Sequence, residues 1–371
     1  MSSATVVCNR RELGKMENGS LNFDDQSETH NNSNSNSNSN KMSNGGKPKK
    51  NYRLVSYDEL PNYMKDNEFI LRYYRAEWPL KRALFSLFQC HNETLNIWTH
   101  LLGFALFLAL TVVNAVHVSE AVDLFGIFRT FPGTNTSHDS SKLFMFQDLT
   151  ELVSMKNRSH PHGGADQAHH IGAIRWPFYV YLGGSMFCLL SSSMCHLFCC
   201  HSHDLNLFLL RLDYTGITVM IITSFFPAMY YIFQCQPVWQ IVYLAVISLF
   251  GAFTIATLLS PTLSSGKFRP LRTILFASMG LFGLVPAIHA AILNWSNPRR
   301  NLVIAYETSM ALSYLIGAGF YVSRVPERWK PGWFDLVGHS HQIFHIFVVL
   351  GALAHYGAAL VFMEYRDRVG C

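Results

Sequence analysis

Three stretches without a single Asp, Glu, Lys or Arg constrain this chain more than any other feature: Tyr214 through Gly266, Thr273 through Pro298 and Ser340 through Met363. Each is long enough to hold at least one bilayer-crossing helix of roughly 20 residues. With 49% hydrophobic and only 14% charged residues, the chain is far more apolar than soluble domains, in which about 25% of residues are charged. The expectation is an all-α membrane protein.

Dividing the apolar material at turn and polar residues gives seven spans: Asn96 to His117, Pro177 to Cys200, Asn206 to Phe233, Pro237 to Leu259, Arg272 to Asn294, Leu302 to Ser323 and Ser340 to Phe362. The breaks have chemical reasons in "QCQP", "SPTLSSGKFRP", "NWSNPRR" and "RVPERWKPGW". Trp176, Trp239, Trp295, Trp329 and Trp333 fall near the proposed ends, where aromatic belts sit. No apolar run opens the chain, so no signal peptide is expected.

The formal charge of +5 is modest, and no nucleic-acid partner is expected. Its placement is more informative. Arg72, Arg75, Lys81, Arg82, Lys267, Arg269, Arg272, Arg324, Arg328 and Lys330 lie on the N-terminal side of the membrane, with fewer positives opposite. The positive-inside rule then predicts a cytosolic N-terminus and an outside C-terminus.

Three regions follow: a polar arm over 1–50, a juxtamembrane segment over 51–93, and a seven-helix domain over 94–371 with a long outside loop at 118–175. The arm contains "HNNSNSNSNSN", which has almost nothing to bury and is expected to be disordered. In "EWPLKRALFSLF", Pro79 suits a first helical position, and Leu80, Leu84, Leu87 and Phe88 recur at helical spacing beside Lys81 and Arg82. That pattern predicts a short amphipathic helix on the inner leaflet. The long loop carries sequons at Asn135 and Asn157 and the histidines of "SHPHGG" and "AHH", read as solvated. The eight cysteines show no regular spacing and are read as small apolar side chains rather than a disulfide framework.

Ionisable residues inside a bilayer are costly and mark functional candidates. Helix parity places His196, Asp213, His341 and His345 at the same depth, together with Glu93, Asn96 and His100. His341 and His345 are four apart, so both rings share a helical face. One histidine from another helix would complete three nitrogen ligands for zinc. Such a site leaves a fourth position for water and lowers that water's pKa from about 15.7 towards about 7. Asp213 would orient the water or take its proton, with Ser192, one turn before His196, supporting it. Plainer readings stand beside this: helix-packing hydrogen bonds for the histidine pair, a core role for His196, and an Asp213–Arg211 ion pair. In "CHLFCCHSH", Cys195, Cys199, Cys200, His201 and His203 mimic ligands, but His201 and His203 are expected in the loop after the second span. His289, His355 and Glu307 belong nearer the other membrane face.

The strings "ETLNIWTH", "SSSMCH", "RLDYTGI" and "SHQIFH" together resemble the motifs of the progestin and adipoQ receptor family, particularly its adiponectin-receptor branch. The Asn-rich arm and "LVSYDELPNYMKDNEFILRYYR" are most similar to its plant heptahelical members. The resemblance implies zinc on His196, His341 and His345, Asp213 beside the metal-bound water, and similarity to hydrolases of ceramide-type amides. Implied partners are a membrane lipid of ceramide type, an unidentified signal ligand and a cytosolic adaptor on the N-terminal region, at the plasma membrane or an endomembrane. Three functions stay open: a receptor-like protein in hormone, sugar or stress signalling that uses or retains the site, a dedicated zinc-dependent lipid amidase, and a proton or metal transporter.

Overall fold

The computed structural model describes residues 52–115, 175–260 and 266–370. The polar arm, the 118–175 loop up to residue 174, its sequons and its histidines lie outside the described residues. The described chain forms helices α1 (Leu80–Phe85), α2 (Thr94–Ala115), α3 (Trp176–Phe198), α4 (His203–Ile232), α5 (Pro237–Leu258), α6 (Arg269–Phe282), α7 (Leu284–Leu293), α8 (Arg300–Ser323) and α9 (Ser340–Val369). Seven segments are long and apolar enough to cross a membrane, α6 and α7 together making the fifth.

Local chemistry sets the ends. Ser202 caps α4, its hydroxyl accepting from Leu205 N at 3.4 Å. Pro237 and Pro177 sit in the first turns of α5 and α3, where a missing N–H costs nothing. Arg324 ends α8 with φ 56°, in the left-handed region, two residues before Pro326.

Four expectations change. The third span starts at His203, not Asn206, because the Ser202 cap sits earlier than the apolar run; His203 is therefore helical rather than in the loop. The fifth span is broken at Gly283 into two helices. The seventh continues past its apolar run to Val369, because Arg368 pairs with Glu364 one turn back and Arg366 donates to the last carbonyls of α4, Tyr231 O and Ile232 O. A charged continuation of this kind is invisible to hydropathy. The cysteines also divide: Cys188, Cys195, Cys199 and Cys200 are free, but Cys90 and Cys235 are each engaged in a disulfide, contrary to the apolar reading given to all eight.

Backbones approach closely where side chains are small, as lipid-embedded helices require. A Cβ on Gly216 of α4 would lie 2.5 Å from Ser191 Oγ and 3.0 Å from Cys188 Cα on α3, and one on Gly184 would strike Thr223. Gly351 and Gly357 of α9 lie beneath Tyr314 and Tyr306 of α8. The core cluster runs through α2, α3, α4 and α9 and includes Phe107, Tyr181, Leu189, Met220, Val348 and Ala352. Ahead of the bundle, the short helix α1 forms, with Pro79 as its N-cap rather than its first residue, and the expected Leu87 and Phe88 lie beyond its end in a short 3-10 turn. The helix leaves Leu80, Leu84 and Phe85 exposed. That is the face an amphipathic helix turns to a lipid surface.

Candidate metal centre

Two strands of local chemistry place the ligands. At the N-terminus of α9, the buried Glu327 carboxylate accepts from Ser340 N at 2.7 Å and from the Ser340 hydroxyl, satisfying an orphan helix donor and opposing the positive end of the dipole. This pins the first turn of α9, which carries His341 and His345. At the C-terminus of α3, the buried Arg75 donates to His196 O at 2.7 Å and Leu197 O at 2.9 Å, and Trp78 N reaches Cys200 O at 3.2 Å. The juxtamembrane segment thereby fixes the turn that bears His196.

The ligand-capable nitrogens of His196, His341 and His345 all lie within 4.8 Å of one another. His196 Nε2 and His341 Nε2 are 3.2 Å apart. The opposite nitrogens are held: His196 Nδ1 is 2.8 Å from Glu93 Oε2, and His345 Nδ1 is 3.1 Å from the Asn96 carbonyl oxygen. A carbonyl can only accept, so His345 Nδ1 carries the proton and its Nε2 presents a lone pair. The same logic applies to His196 against a carboxylate. Partners of this type fix the tautomer and ring direction of metal-binding histidines. The His100 ring stacks on His345 at 3.6 Å between centroids and 6° between planes. Burial opposes charge on Glu93, but the His196 imidazole and the Asn96 amide outweigh it and hold the carboxyl well below its usual range. Glu93 is therefore an anionic acceptor for His196. Beside it, burial pushes the His339 imidazole down, and its Nε2 lies 3.2 Å from Asn92 O.

Three converging imidazoles suit zinc, which binds neutral histidine nitrogen. Asp213 lies nearly three turns into α4, 8% exposed, near the Ser192 hydroxyl and His196, and forms no ion pair with Arg211 among the described residues. It is not part of the three-histidine cluster. All of these groups line one cavity of about 1580 Å³ that runs along α4, α6, α7, α8 and α9 to Glu307 and His355 at the far end of the bundle.

The ligand-like residues after α3 serve other purposes. His201 Nδ1 bonds Trp78 O at 2.9 Å, His203 packs edge-on against Tyr63 at 5.0 Å, and Cys195 and Cys200 are buried. His289 pairs with Tyr243 Oη at 2.9 Å, away from the cluster. Sequence reasoning placed Glu93, Asn96 and His100 at the right depth but assigned them no role; it passed over Glu327 and used Arg75 only for topology. Glu93 carried a signal, as a carboxylate at a span boundary level with His196; Glu327 carried none.

The haemolysin-III-related family model matches residues 88–356. The heptahelical transmembrane protein 1 of Arabidopsis thaliana is 56% identical over 88% of this chain and 86% of its own length. In Oryza sativa subsp. japonica, the heptahelical transmembrane protein ADIPOR1 is 52% identical over 87% of this chain and 88% of its own. The adiponectin receptor protein of Drosophila melanogaster is 34% identical over 85% of this chain and 61% of its own length.

Proposed function

The chain belongs to the haemolysin-III-related family and is an integral, multi-pass, adiponectin-receptor-like heptahelical membrane protein, and from that premise we propose that it is a zinc-dependent receptor-like protein whose signal includes cleavage of a ceramide-type lipid amide. The observation that carries this reading is the convergence of three histidines from two helices, two with their far nitrogens already engaged, at one end of a largely apolar cavity. When bound, zinc supplies Lewis acidity and water activated near neutral pH. Glu93 and the Asn96 carbonyl aim His196 and His345. Asp213, steadied by Ser192, takes the proton from the attacking water and returns it to the leaving amine. The apolar walls accept an acyl chain and exclude bulk water. A proton or metal relay is less well supported, because Val348, Gly351 and Ala352 are the buried α9 residues between His345 and His355.

The cytosolic N-terminus is part of the proposal, motivated by the basic residues flanking α1, α6 and α8. In sealed vesicles a C-terminal tag should be protected from protease added on the cytosolic side; a cleaved tag reverses the orientation. The functional test is metal content and hydrolysis of a ceramide-type amide by purified protein. Wild type should hold one zinc per chain and cleave the amide. Full zinc with no cleavage of any such amide would leave the metal as structural support for a receptor.

A further inference from the structure

The far end of the cavity holds a polar pair that the metal centre does not use. His355 is buried on α9, with Nδ1 3.1 Å from Glu307 Oε1 of α8 and Nε2 2.8 Å from the Ser224 carbonyl oxygen of α4. The Tyr181 ring packs edge-on against it at 4.9 Å. Ser224 O can only accept, so His355 Nε2 carries its proton. Nδ1 then faces a carboxyl oxygen, and one further proton lies between Glu307 and His355, as imidazolium with carboxylate or imidazole with carboxylic acid. In both forms the pair is neutral overall and the ring is held at both nitrogens.

Glu307 keeps a second oxygen. Among the described residues Oε2 has no hydrogen-bond partner, and the side chain is 29% exposed where it lines the cavity. A carboxyl oxygen facing an apolar space is costly unless something pairs with it. Between it and the histidine cluster the lining includes Ile217, Met220, Ile221, Leu315 and Val348. His345 and His355 lie ten residues apart on one continuous helix, a separation of about 15 Å at a rise of about 1.5 Å per residue. That reach corresponds to roughly a dozen carbons of an extended chain, given C–C bonds of about 1.5 Å.

We propose that Glu307, positioned by His355, is a recognition point for a hydroxyl on a long-chain amphiphile: the polar head lies at the histidine cluster, the chain follows the apolar stretch, and a hydroxyl about a dozen carbons along donates to Glu307 Oε2. This rests on the reading that the cavity receives a lipid chain with its head at the cluster, and it adds the chain's own polarity as a determinant of selection. The chain can arrive as a free acid or as an acyl amide.

Equilibrium binding to the purified, zinc-replete protein tests it, with octadecanoic acid, 12-hydroxyoctadecanoic acid and the primary amides of both as probes. Wild type should bind the hydroxylated chain about tenfold more tightly, the yield of one well-made buried hydrogen bond to a carboxyl oxygen. The head group with the larger preference identifies the source; the preference must appear with at least one. Glu307→Leu should lose the preference while keeping full zinc and its affinity for the plain chain, and Glu307→Gln should retain part of it. Equal affinities in wild type for both head groups, or a preference that survives in Glu307→Leu, overturns the proposal. If wild type with full zinc binds no chain of any kind, the lipid reading of the cavity fails and takes this inference with it.

Discussion

The two sides of the bundle are built differently. Of the apolar window in α3, 61% is buried inside the protein; in the segment formed by α6 and α7 the figure is 17%. α3 packs closely on α4, with Gly216 against the Cys188 backbone and Gly184 against the Thr223 side chain, and its last turn is held by Arg75. On the other side, a Cβ on Gly280 of α6 would meet nothing within 4 Å, and the cavity opens along this helix and α7. The histidines sit on the tightly packed helices α3 and α9, where rotamers and backbone positions are over-determined. The loosely packed segment bounds the space a ligand would occupy. Metal geometry tolerates errors of only a few tenths of an ångström, whereas a lipid chain tolerates far more, so this division of labour is the one physics favours.

If that contrast is right, the largest effects belong to the tight side. His341→Ala and His345→Ala should each reduce zinc from one per chain to a small fraction, read by elemental analysis of purified protein, while His201→Ala should leave it unchanged. Equal zinc in His341→Ala and wild type would remove the basis for the site.

Asp213→Asn should separate metal retention from chemistry. Asn keeps the shape of the side chain, so zinc content should stay near wild type while cleavage of a ceramide-type amide falls by about 10²–10⁴, the usual worth of general-base help. A variant that hydrolyses as fast as wild type would remove the role assigned to Asp213 and spare the metal site.

Glu93→Gln tests whether the partner of a ligand matters as the geometry says. The neutral amide holds His196 less firmly, and zinc affinity should weaken by about 10–100-fold, measured by competition with a chelator. Unchanged affinity would make the 2.8 Å contact incidental.

The smallest effect compares the two sides directly. Gly216→Ala forces a methyl against the α3 backbone and should destabilise by about 1–3 kcal/mol, whereas Gly280→Ala enters open space inside a helix and should be neutral or stabilising by up to about 1 kcal/mol. Thermal unfolding in one detergent reads both. Similar shifts at the two positions would erase the packing contrast.

The His341/His345 pair was legible because one helix relates the two positions by a fixed rotation, and the depth of His196 followed from counting helix crossings. The pairing of His196 with Glu93 was not, because Glu93 sits in the turn before α2 and His196 on α3, far apart in sequence, and equal depth does not specify which faces meet. The break at Gly283 was hidden as well: Gly and Pro286 are common in membrane helices, and hydropathy reports no angle.

By itself the sequence determined that the chain crosses a membrane seven times and that His196, Asp213, His341 and His345 lie at one end of their helices, since charge burial and helical periodicity are local properties that any fold of this chain must obey. Only the tertiary structure decided that Glu327 caps α9, that Arg75 caps α3, that one cavity joins the histidine cluster to Glu307 and His355, and that α6 and α7 pack so sparsely. Those features depend on which helix faces meet and how closely. Small differences in side-chain volume between helices set that, and no single segment contains it.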